Sequence, residues 1–217
     1  MDIREIAKEY NDYLIEMRRL FHAHPEIAEK EFVTSATIKE ELTKYGIQWR
    51  PCGLQTGVLA TVVGAKSGKT ILLRADMDAL PVTEETGAPY ASTNAGFMHA
   101  CGHDCHAAML LGAAKGLKSI EDEIPGRVIL MFERGEEGGE GLGALLKYAY
   151  DNNLKIDGSF GMHVDPSIPV GQFGWRSGNL MAGAMGFKMT IIGKAAHGSQ
   201  PYVGHSPIDA FNEYYNF

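Results

Sequence analysis

Residues 101–106 read Cys-Gly-His-Asp-Cys-His, and the chain later presents two adjacent carboxylates, Glu136 and Glu137, and a further imidazole, His163. Thiolate, imidazole and carboxylate are the side chains that hold borderline divalent cations. Cys101, His103, Glu137 and His163 each follow or end an apolar stretch, which in a folded domain gathers them at strand ends. A polar group left unpaired there costs roughly 2–7 kcal/mol, and a divalent cation removes that cost. The set points to metal-assisted hydrolysis.

Each part of it also has a plainer reading. Cys101-Gly102-His103 puts two ligands two residues apart on a glycine turn ahead of a helix, whose amino end favours a thiolate. The same triplet reads as a buried Cys beside a capping His. Cys105 opens a redox pairing with Cys101, against which stand the C-x3-C spacing and the histidine neighbours. Glu136-Glu137 ends an apolar strand and enters the glycine-rich turn 138–141. It reads as a solvated acidic loop, yet like charges at the end of a buried strand repel unless a cation holds them. In extended chain the two side chains point in opposite directions, so one carboxylate ligates while the other addresses the attacking water. The segment lacks the Gly-Lys-Ser/Thr ending of a phosphate loop. A lone His163 at a strand end is a structural hydrogen-bonder unless its company makes it a ligand. Asp76 and Asp78, around Met77, either orient a ligand histidine from behind or cap a turn. His22, His24 and Cys52 read as structural.

The elements that must carry these residues follow from periodicity. Ile3, Ile6, Ala7, Tyr10, Leu14, Met17 and Phe21 recur at three- and four-residue steps, which predicts one helix ending before Pro25. A second helix covers 31–45 and stops at Gly46. The runs 57–64, 70–76 and 127–132 are short, apolar and rich in β-branched residues, as strands buried on both faces are. Helices at 104–118 and 140–151 alternate with them, and 159–164 is a further strand that His163 closes. This alternation predicts an α/β domain with a largely parallel or mixed sheet, whose ligands gather beyond the carboxyl ends of the strands. From Trp175 to Gly183 the composition shifts to Gly, Ser and Asn, and 187–193 alternates like a half-exposed antiparallel strand. A second domain starting there and ending at Phe217 is shorter than about 40 residues, too short to bury a core of its own.

Bulk properties narrow the function classes. With 217 residues, 45% hydrophobic and 22% charged, the chain has material for a sizeable core. A formal charge of -7 without a Lys/Arg run argues against a nucleic-acid partner. No 18-residue apolar stretch and no basic leader argue against a membrane role and for the cytoplasm. Three cysteines are too few for a secreted disulfide framework.

Taken together, RRLFHAHPE (18–26), LLRADMDALPV (72–82), HACGHDCHAAMLLGAA (99–114), the Glu pair 136–137, FGMHV (160–164) and GKAAHGSQP (193–201) resemble one metallopeptidase family. It is that of the aminoacylases, carboxypeptidases and hippurate hydrolases, and the likeness is closest to the branch acting on N-acyl and indole-acetyl amino acids. The resemblance implies a zinc-peptidase-like mixed sheet flanked by helices over residues 1–178, and the beginning of an inserted α+β lid and dimerisation domain at 179–217. It implies that Cys101, His103, Glu137 and His163 bind two divalent metal ions, with Zn, Mn, Co or Ni all compatible with the ligands. Glu136 is then the general base and acid, Asp78 belongs to the catalytic set, and His197 contacts the substrate's scissile carbonyl or carboxylate. The expected reaction is hydrolysis of the amide bond of an N-acyl amino acid or short peptide, by a homodimer in full-length form. The metal pair lowers the pKa of a water from 15.7 towards about 7.

Three departures stand out. Cys105 occupies a position where the family has Gly, and Glu133-Arg134-Gly135 replaces Gln-Pro-Ala. The family also continues past residue 217, with one more metal-binding His. That leads to the expectation of a truncated form, the alternative being an inactive metal-binding remnant or half of a split enzyme.

Overall fold

A computed structural model describes residues 2–51, 55–139, 141–183 and 186–217. Cys52 and Glu140, the first residue of the expected fourth helix, lie outside the described residues.

The amino-terminal helix is two helices, α1 (Ile3–Glu9) and α2 (Asn11–Ala23), separated at Tyr10 with φ -96° and ψ 9°. Asn11 and Asp12 follow at once, and such side chains compete for backbone hydrogen bonds in a helix interior. Met17 and Phe21 form the buried stripe of α2. α3 (Phe32–Lys44) buries Ile38 and Leu42 and ends at Gly46, whose φ of +67° suits glycine. Then come β1 (Gln48–Pro51), β2 (Val58–Val63), β3 (Lys66–Asp76), α4 (His103–Ser119), β4 (Pro125–Glu133), α5 (Gly141–Asp151) and β5 (Gly158–Gly161). β1 was not foreseen; its four residues are all exposed, so it carries no burial alternation. β5 ends two residues before His163, which therefore sits on the segment after the strand.

The sheet order is β1-β2-β4-β3-β5, with β1/β2 and β2/β4 antiparallel and β3/β4 and β3/β5 parallel. It is the mixed sheet that the alternating elements imply. Val58, Ala60 and Val62 of β2 and Val128, Leu130 and Phe132 of β4 pack with Met17, Phe21, Ile38, Leu42 and Leu111 from α2, α3 and α4. The intervening Leu59, Ile129 and Met131 join Leu72 and Leu145 of α5 on the other face. Strands covered on both faces are apolar throughout, because the pleat sends alternate residues into two different cores.

The chain divides into two compact units, Met1–Ser167 and Ile168–Phe217, a division that falls ahead of the shift in composition. In the second unit no described residue is buried. Residues 187–193 form no strand; among the described residues the pairing nearby is Lys194 with His205, through two backbone hydrogen bonds of 2.9 Å. Alternation marks a strand only where a sheet covers one face, and here nothing does among the described residues. α6 (Pro207–Asn216) starts on a Ser206 cap with Pro207 in its first turn. Among the described residues no helix is long and apolar enough to cross a membrane.

Candidate metal centre

The carboxyl ends of β3, β4 and β5 and the amino end of α4 converge on one site. β3 ends at Asp76 and its continuation carries Asp78, fixed where the Ala79 N–H donates to the Glu26 carbonyl at 2.8 Å and Leu80 pairs with Met98. α4 opens on Gly102, whose φ of +86° favours glycine and where a Cβ would stand 2.4 Å from Val164 Cγ2. That turn delivers Cys101 and, as the first helical residue, the fully buried His103.

Asp78 joins two of the candidate site residues. Its Oδ1 lies 3.2 Å from His103 Nδ1, and its Oδ2 accepts the backbone N–H of Glu137 at 2.9 Å. With Nδ1 committed to a carboxylate, the lone pair of His103 falls on Nε2. That atom is buried without a hydrogen-bond partner, 3.9 Å from a carboxylate oxygen of each of Glu136 and Glu137 and 3.7 Å from Asp76 Oδ1. Nearby, Cys101 Sγ lies 3.3 Å from His163 Nε2, while His163 Nδ1 donates to the Val164 carbonyl at 2.7 Å. The ligand atoms of Cys101, His103 and His163 lie within 4.8 Å of one another, and so do those of His103, Glu136 and Glu137.

The electrostatics suit a cation. Burial, then the hydrogen bond and charge of Glu137 and the charges of Asp76 and Glu136, push the Cys101 thiol up to about 12. A divalent ion inverts that preference by binding the thiolate. Burial alone depresses His103, but the Asp78 hydrogen bond and the charges of Asp76, Asp78 and Glu137 outweigh it and raise the imidazole above its ordinary value.

One local geometry differs from the extended-chain reading. Glu136 and Glu137 lie in a turn closed by Gly138 N–H to the Gly135 carbonyl (3.2 Å) and Gly139 N–H to the Glu136 carbonyl (3.0 Å). Both carboxylates therefore approach His103 instead of diverging. Cys101 and Cys105 are both free thiols. His197 belongs to the second unit, exposed, with Nδ1 2.9 Å from Ser199 Oγ.

Of the residues left as structural, His24 is exposed beside Thr93 at 3.1 Å, and His22 is buried between Asp104 (2.6 Å) and Glu84 (3.1 Å). The sequence reading passed over the role of His106, buried with Nδ1 2.6 Å from Asp76 Oδ1. Its spacing of three from His103, which places both on one face of α4, was the available signal.

These features define an α/β protein with a thiol–imidazole–carboxylate cluster, suited to divalent cations, at the carboxyl edge of its sheet. Residues 72–212 match the model for peptidase family M20/M25/M40, and the chain belongs to that family. It is 47% identical over 196 residues to an N-acetyl-L-cysteine deacetylase of Bacillus subtilis, covering 90% of this chain and 46% of the relative. It is 43% identical over 211 residues to thermostable carboxypeptidase 1 of Saccharolobus solfataricus, covering 95% and 52%. Among solved structures, a dinuclear metal-binding M20 peptidase of Bacillus subtilis aligns with a TM-score of 0.72 at 39% identity, over 76% of this chain and 45% of that one. The chain spans about half the length of the curated relatives it matches.

Proposed function

We propose that this chain is the metal-binding part of an amidohydrolase that splits N-acyl amino acids or short peptides, with Cys101, His103, Glu137 and His163 holding two divalent cations. The carrying observation is His103 Nε2, a buried lone pair without a partner, facing two carboxylates beside the Cys101–His163 contact. A buried nitrogen in an acidic setting is what a cation satisfies. The relatives' names, a deacetylase of N-acetyl-L-cysteine and a carboxypeptidase, support an amide adjoining an amino acid as substrate.

When bound, the metal pair supplies Lewis-acid polarisation of the acyl carbonyl and acidification of a water. The chain does the rest. Asp78 keeps the His103 proton on Nδ1 and, by holding the Glu137 N–H, fixes the turn that carries both glutamates. Glu136, with its side chain 41% exposed, is open to solvent and substrate. It takes the water's proton and returns it to the leaving amine, a role worth about 10²–10⁴ in rate. His197 contacts the substrate's carbonyl or carboxylate, residues 1–178 are the catalytic part, and 179–217 begin a lid that also dimerises. The cytoplasm is the proposed compartment, and zinc, manganese, cobalt and nickel are the candidate metals.

The test is Glu136→Gln in the protein that carries this chain. Metal content stays, and turnover of N-acyl amino acids falls by at least about two orders of magnitude. Equal loss of metal would make Glu136 a ligand, and no hydrolysis by the metal-loaded parent protein would refute the activity.

A further inference from the structure

We infer that His106 is a positioning residue that fixes the segment bearing His163 by accepting the backbone N–H of Val164. The contact is 2.9 Å from Val164 N to His106 Nε2. An imidazole nitrogen that accepts is unprotonated, so the ring proton is on Nδ1, where it donates to Asp76 Oδ1 at 2.6 Å. Both ring nitrogens are then committed. Asp76, His103 and His106 are close enough to hold an ion, but His106 has no lone pair to give one without releasing Val164. It is a holder of a neighbouring segment, not a ligand.

That segment needs a holder. β5 stops at Gly161, and among the described residues no backbone-to-backbone hydrogen bond anchors 162–164. Two contacts tie it to other elements, and a third within it orients His163. The Val164 N–H is held by His106, the Val164 side chain faces the Cβ-free Gly102, and the Val164 carbonyl accepts His163 Nδ1–H. The last contact aims His163 Nε2 at Cys101. The His106 and His163 rings meet edge to face, 4.7 Å between centroids.

His106 is itself braced from the sheet. Arg74 Nη1 forms an ion pair with the other oxygen of Asp76 at 2.8 Å, and Arg74 Nε donates to Glu133 Oε2 at 2.6 Å. The line Glu133–Arg74–Asp76–His106–Val164 runs from the ends of β4 and β3, through α4, to the chain beyond β5. It transmits the rigidity of the two parallel strands to a segment that has no ladder of its own.

This inference rests on the proposed function only in naming His163 a ligand, so the test separates the two. The variants are His106→Asn, which keeps a donor near Asp76 but loses the acceptor, and His106→Gln, whose amide oxygen reaches the Nε2 position but leaves Asp76. Amide hydrogen exchange is read at Val164 in the metal-free chain, and cobalt(II) binding is read by its thiolate charge-transfer band. Exchange at Val164 should rise at least about ten-fold in the Asn variant and stay within about three-fold in the Gln variant. Cobalt affinity should fall about 10–100-fold in the Asn variant and less in the Gln variant. The wild-type imidazole should give the nitrogen spectrum of the Nδ1–H tautomer. An Nε2–H tautomer, or unchanged Val164 exchange in His106→Asn, overturns the role. A wild-type chain that binds no cobalt but keeps the exchange order refutes the metal centre and supports His106 as the holder of the segment.

Discussion

Asp78→Asn is the sharpest test of how the centre is held, because it changes one atom and leaves the shape intact. Asp78 is fully buried, and both oxygens accept: one from His103 Nδ1–H, the other from the Glu137 N–H. An amide has one acceptor to offer. If its NH2 faces His103, the ring must move its proton to Nε2, the atom whose lone pair is proposed to hold a metal. If it faces Glu137, two N–H groups confront each other and the turn that brings both glutamates to the site loosens. A hydrogen bond to a charged group contributes about 1.5–3 kcal/mol, so losing one of the two corresponds to roughly 10–100-fold weaker metal binding, the range seen for partners of ligand histidines. The assay is competition against a chelator of known affinity, alongside urea unfolding of the metal-free chain to separate folding from binding. Affinity within about two-fold of wild type, with folding intact, would show that Asp78 does not govern the donor atoms.

Adding zinc or cobalt should raise the unfolding temperature and a chelator should reverse it, with about 2.7 kcal/mol of stabilisation at a ligand concentration one hundred times Kd; indifference to both would count against the centre. Lys115 Nζ stands over Tyr10, Tyr13 and Tyr45 at 4.3, 4.6 and 4.9 Å, and joins α4 to the elements around α1, α2 and α3. Lys115→Met should cost about 1–2 kcal/mol in urea unfolding, and a neutral result would mean that packing of the stem alone holds these rings. Burial works to raise Glu84, but hydrogen bonds from Thr86, the Ser92 N–H and His22 outweigh it and lower it to about 2. Its contribution is therefore complete above the ordinary value of 4.5 and is lost as pH falls towards about 2. Glu84→Gln should show a shallower loss of stability over that interval in pH-dependent unfolding, and an unchanged slope would remove Glu84 from the acid response.

How much of this was legible in the sequence depends on where each structural signal resides. β2, β3 and β4 could be read because each strand carries Val, Ile, Leu or Met, buried or half-buried, on both faces, so the signal lies in composition. β1 could not, since an exposed edge strand takes its identity from its partner β2. The false strand at 187–193 is the converse case: Lys188, Met189, Thr190 and Ile191 alternate, but pairing decides a strand, and none forms there. At the site, the residue types that suit a metal were visible. The convergence of Glu136 and Glu137 was not, because it depends on a turn in which Gly135 and Gly139 adopt φ of +62° and +76°. Likewise the spacing of His103 and His106 places them on one face of α4, but only the approach of Asp76, Asp78 and Val164 gives them different tasks.

The departure at Glu133 shows how the charge of the site is set. Where the resemblance leads one to expect Gln, the chain buries a further carboxylate whose partner is Arg74, which also faces Asp76. Among the described residues, Arg74 is the one Lys or Arg ion-paired with Asp76, Asp78, Glu133, Glu136 or Glu137. One guanidinium shared by two buried carboxylates leaves that trio with an excess of negative charge. Burial pushes Glu133 up, with Asp76 and Glu136 adding to the effect and Arg74 opposing it. For Asp76 burial acts the same way, but the hydrogen bond from His106 and the charge of Arg74 oppose it, and the carboxyl stays lowered. The network thus keeps Asp76 ionised to brace His106, while among the described residues Glu136 and Glu137 have no arginine or lysine ion-pair partner. Their uncompensated charge, gathered around one buried imidazole nitrogen, is the physical reason that a divalent cation fits this site.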